Sequence, residues 1–179
     1  MTDEDPSQQL LRVANHEAAH TCGHHHFGRP VEKIDIDRPE RWSLGHVVPA
    51  QTEPLILPPG VEGDAALAWI DGQLYKGRIE TAIIARLGGM FGGDDWRGEG
   101  CSTDRATVVQ ACPRKMDLPA WEDLVEVRAQ TLVEDRRFNA GVKALAIALV
   151  ERQHEPMPGS RAFEIIERAL LEYDQALRP

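Results

Sequence analysis

Residues 13–28 read VANHEAAHTCGHHHFG, a stretch that holds five of the chain's seven histidines. Leu10, Val13, Ala14, Ala18 and Cys22 recur at steps of three and four, the period of a helix with one apolar face. The spacing predicts a helix from about Ser7 to His25, stopped by Gly28 and Pro30. Within it, His16-Glu17-Ala18-Ala19-His20 forms an H-E-x-x-H. Residues four apart share a helix face, so both imidazoles can point at one ion. Zinc accepts neutral imidazole nitrogens at about 2.0–2.1 Å and, in catalytic sites, keeps one position open for water. Glu17, beside the first imidazole, is placed to take a proton from such a water and return it to a leaving amine.

Two histidines leave the coordination incomplete, and the sequence offers several third ligands. His24 continues the four-residue series, but three side chains on a straight helix spread over about 12 Å of rise. Gly23 and His26 complete an H-E-x-x-H-x-x-G-x-x-H pattern, provided the chain turns at Gly23. Two carboxylates lie further on. Glu80 belongs to the next helical segment, and Asp104 to the first turn of a later one, where the helix dipole alone favours an acid.

Outward from this helix, VEKIDI (31–36) alternates Ile34 and Ile36 with Lys33 and Asp35, the pattern of a half-buried strand. RPER turns the chain and WSLGHVV (42–48) returns it, which makes a hairpin. The proline-rich stretch 49–63 reads as a loop. Helical patterning resumes from about Asp64 to Leu87 and ends at Gly88-Gly89. GGDDWRGEG (92–100) is a glycine-rich acidic loop, and STDRATVVQAC (102–112) opens a helix closed by Pro113. Three further helices are expected over about 119–136, 139–153 and 161–177. The expected fold is mainly α (α+β), a single helical domain over residues 1–179 with one small β-hairpin.

Composition narrows the function classes. A chain of 179 residues, 42% hydrophobic and 27% charged, can bury one core. A net charge of −9, with no basic stripe, argues against a nucleic-acid partner. The longest apolar run, ALAIALV (144–150), is far short of the roughly 20 residues of a membrane span. The acidic start MTDEDPSQQ lacks the regions of a signal peptide, so the expected location is cytoplasmic. Cys22, Cys101 and Cys112 show no paired spacing and are read as buried or free thiols. The four tryptophans (42, 69, 96, 121) read as core or rim, and VEDRRF (133–138) as a solvated helix face. The hairpin edge could take an extended peptide by strand addition.

The order of these segments resembles the peptidase domain of the FtsH family of ATP-dependent zinc proteases. HEAAH and the hairpin that follows it, ETAIIARLGGMFGG, GCSTDRATVVQA and ALVERQ match the family's zinc helix, glycine-bearing helix, aspartate element and C-terminal end in turn. The resemblance implies that Asp104 is the third zinc ligand beside His16 and His20, with Glu17 catalytic, and that His24, His25 and His26 form the polar end of the helix. It departs from the family at Ala19, where glycine is usual, and at His46, where tyrosine is common. GGMFGG also lacks an acidic pair, and loop 49–63 is longer. The family's membrane anchor and ATPase module have no counterpart in these residues.

The resemblance thus implies a zinc-dependent metalloendopeptidase acting on unfolded or flexible polypeptides. Folded substrates would need an unfoldase in trans, and assembly into a homo-oligomer is part of the analogy. Two other readings stand beside it. One is a non-catalytic metal-binding regulatory or interaction module derived from such a peptidase. The other is a metal-handling protein that uses the histidine run 24–26.

Overall fold

The computed structural model describes residues 5–36, 46–50, 54–93, 95–98, 101–152 and 155–178. Helix α1 spans Pro6–His26, begun by the Asp5 carboxylate, which accepts from the Ser7 amide at 3.1 Å, and by Pro6 in the first turn. It ends at Phe27, and Gly28 follows with a positive φ of 67°. Strand β1 (Val31–Asp35) pairs antiparallel with β2 (His46–Pro49), which is the expected hairpin. Trp42 and the side chain of His46 lie outside the described residues.

The hairpin is part of a three-stranded sheet. A two-residue strand, β3 (Met157–Pro158), pairs antiparallel on the other side of β1, giving the order β2-β1-β3. Ile34 and Met157 face each other across this pairing with no exposed surface. Two residues are too few for any alternation to announce a strand, which is why only the hairpin was legible.

Helix α2 runs from Gly63 to Gly92 and closes on Gly93, whose φ of 68° is left-handed. It does not stop at Gly88-Gly89, as the twin glycines suggested. Then come α3 (Ser102–Ala111), α4 (Leu118–Glu134), α5 (Arg136–Glu151) and α6 (Gly159–Ala176). The described residues are therefore mainly helical, with six helices and one small antiparallel sheet.

A single residue, Asp135, separates α4 from α5. Its carboxylate accepts from the amides of Arg137 and Phe138, and the Asn139 side chain donates to the carbonyls of Val133 and Asp135. VEDRRF is thus a capped corner between two helices, and its charged residues Glu134, Asp135, Arg136 and Arg137 are exposed, as expected of a solvated run. Serine, asparagine and aspartate bond nearby backbone in competition with the helix, and here that competition breaks it.

Two clusters of buried side chains fill the interior. The larger joins α1, α5, α6 and the sheet through residues such as Ala18, Ile34, Val142, Leu145 and Ile166. The smaller gathers Ala82 and Ala85 of α2 with Val108 of α3 and Trp121 and Val125 of α4. Helix α2 serves both, since Ile83 and Leu87 belong to the first cluster. No helix among the described residues is long and apolar enough to cross a membrane.

Candidate metal centre

Helix α1 presents His16 and His20 one turn apart, their rings edge to face with centroids 4.7 Å apart. Asp104 reaches them from the first turn of α3. Its Oδ2 lies 3.1 Å from Nε2 of His16 and 3.5 Å from Nε2 of His20. Among the described residues these three form the group able to hold a metal, with ligand atoms all within 4.8 Å of one another. Glu17, the next residue on α1, is buried at 5% exposure. The Thr21 hydroxyl donates to the Glu17 carbonyl at 2.8 Å, one turn along the helix.

Three features fit these residues to a divalent cation such as zinc. Bonds of about 2.1 Å at tetrahedral angles separate ligand atoms by roughly 3.4 Å, close to the two distances from Asp104 to the imidazoles. Asp104 Oδ2 is buried and faces the two imidazole nitrogens alone, a costly place for a carboxylate oxygen unless positive charge lies between them. Gly88 supplies the third feature. A Cβ there would lie 2.4 Å from His20 Nε2 and 2.7 Å from His16 Nε2, so only a bare backbone lets α2 approach the pair. A glycine within a helix costs about 1 kcal/mol relative to alanine, and this close approach explains its presence.

The tautomer of His20 is fixed by α2. Its Nδ1 is 2.8 Å from the Ile84 carbonyl, which can only accept, so Nδ1–H donates and Nε2 is the nitrogen turned toward Asp104. Burial, the largest influence, pulls the His20 pKa down. The hydrogen bond and charge of Asp104, the charge of Glu17 and the Ile84 carbonyl together outweigh it, raising the value to about 9. Burial likewise pushes the Asp104 carboxyl up, but His16 and His20 hold it well below the usual carboxylate range. Both shifts express a site that attracts positive charge, whether a proton or a metal ion.

The other candidates lie elsewhere. The helix passes straight through Gly23, where a Cβ would meet Ile84 at 3.0 Å and Leu87 at 3.2 Å. Gly23 is there for close packing of α1 on α2, so the turn needed to bring His26 to the ion does not occur. His26 instead stacks edge-on against Phe27 and Phe138, and His25 against Phe163 with Glu167 at 3.7 Å. His24 is buried with no partner for Nδ1. The run 24–26 thus splits toward different neighbours and gathers no common site. Glu80 is held by Arg29, which also donates to Thr81 and the Gly77 carbonyl, and by Lys76. Burial holds the Cys22 thiol far above its ordinary range, as suits a packed thiol.

Sequence reasoning missed Gly88 and the Ile84 carbonyl. The doubled glycine was visible, but a helix stop and a close approach share that sign. No family model matches the chain, and neither the curated proteins nor the solved structures yield a significant match.

Proposed function

We propose that the chain is a zinc metallopeptidase of the FtsH peptidase-domain type, with His16, His20 and Asp104 as metal ligands and Glu17 as the proton carrier. The observation that carries this reading is the meeting of Asp104 Oδ2 with both imidazole Nε2 atoms, beside a glutamate on the same helix. Bound there, zinc would polarise water and a scissile carbonyl. Glu17 would then accept the proton of the attacking water and pass it to the leaving amine. The Ile84 carbonyl holds the His20 ring with Nε2 free for coordination. The β2 edge of the sheet would align an extended polypeptide by strand addition. Substrates would be unfolded or flexible chains, folded ones would need an unfoldase in trans, and homo-oligomeric assembly belongs to the same analogy.

The burial of Glu17 favours a second reading, a non-catalytic module that uses the same metal site to hold its shape for a partner. One experiment separates the two. Glu17→Gln should keep its zinc and lose casein cleavage by at least about a hundredfold, the worth of a general base. A variant that cuts at the wild-type rate refutes the role of Glu17. Zinc-loaded wild type that cuts no unfolded substrate supports the second reading.

A further inference from the structure

The third ligand is the hardest to place. His16 and His20 are set by one rigid helix, whereas Asp104 follows a connection whose described residues include Gly93 and Gly98. Glycine-rich backbone carries the largest conformational entropy, and α3 itself buries only Val108 and Ala111. Trp96 lies in the middle of this connection and is fastened on both sides. The Arg86 guanidinium stacks on its ring, 4.5 Å from the centroid, and Arg86 is itself oriented by two bonds to the Glu126 carboxylate. From the other side, Arg105 Nη1 donates to the Trp96 carbonyl at 3.2 Å. The indole also covers Gly89, where a Cβ would sit 3.4 Å from Cε3.

These contacts tie together two specific places. Arg86 stands two residues before Gly88, the glycine against both imidazoles, and Arg105 is the neighbour of Asp104. We propose that Arg86 and Trp96 are positioning residues, a clamp between the helix that cradles the histidines and the helix that supplies the third ligand. The clamp limits the freedom of the connection, so Asp104 meets the imidazoles without paying the ordering cost when the ion arrives. It acts through Asp104 and touches neither metal nor substrate. This inference rests on the metal reading of the site given above.

The test compares zinc affinity, by competition with a chromophoric chelator, and the visible spectrum of the cobalt(II)-substituted protein. Arg86→Ala and Trp96→Ala should keep the wild-type far-UV circular dichroism, bind zinc about 10–100-fold more weakly and alter the cobalt bands. Trp96→Phe, which keeps an aromatic face for Arg86, should restore most of the affinity. Glu126→Gln, which loosens the orientation of Arg86 from an exposed position, should show a smaller loss and serves if Trp96→Ala fails to fold. Wild-type affinity and cobalt spectrum in Arg86→Ala and in Glu126→Gln overturn the clamp. Asp104→Ala is the control that distinguishes the two claims. If it loses zinc while the Arg86 and Glu126 variants do not, the clamp alone fails; if it keeps zinc, the metal reading fails and takes the clamp with it.

Discussion

His24 shows how far a residue's chemistry can depart from its place in a pattern. It continues the series of His16 and His20 along α1, yet it is buried, and its Nδ1 meets no partner. Burial first, then the charges of His20 and Arg29, lower its pKa to about 4. The imidazole is therefore neutral in the folded protein, while in the unfolded chain it titrates near 6.5. A folded value below the unfolded one means the associated stability is complete above pH 6.5 and drains away as pH falls toward 4. Wild type should thus lose on the order of 1 kcal/mol more than His24→Leu between pH 7 and pH 5, measured by urea unfolding. Equal losses in the two proteins would contradict this assignment. The series was legible in the sequence; the surroundings that give each histidine a different task were not. Arg29, which depresses His24, reaches it only because the chain turns back after α1.

At the scale of elements, patterning was readable wherever one face is apolar, and failed where a contact between elements overrides it. The periodicity of α1, the alternation in β1 and the helix ends read at Gly28 and Pro113 all gave the right type of element. One error sits at Gly88-Gly89, where packing against histidines keeps a helix going through residues that usually end one. Another is β3, two residues that pair with β1 immediately before α6 begins. Gly159, the first residue of α6, lies so close to β1 that a Cβ would fall 1.8 Å from the Val31 carbonyl oxygen. Neither backbone can yield without opening the sheet. Gly159→Ala should lower unfolding free energy by about 3 kcal/mol, read from urea denaturation. A loss under about 1 kcal/mol would mean the β1–α6 approach is looser than described.

At the scale of the whole molecule, the candidate site lies where the two buried clusters meet. Helix α1 carries the imidazoles on the edge of the larger one, α3 brings the carboxylate from the smaller, and α2 runs between them with Gly88 against both rings. Such an arrangement explains what the sequence could and could not disclose. The paired histidines and Glu17 are local, so spacing alone exposes them. Asp104 is brought in by tertiary packing, and its choice over Glu80 or His26 came from a resemblance in segment order; the structure brings its Oδ2, and neither of the other two side chains, to the imidazole Nε2 atoms. The measurement that bears most directly on the account is metal content of the purified wild type beside Asp104→Ala after both are offered zinc and desalted. Wild type should retain one zinc per chain, and Asp104→Ala should retain little or none while keeping its helical circular dichroism. A folded Asp104→Ala that holds a full equivalent of zinc, or a wild type that holds none, would contradict it.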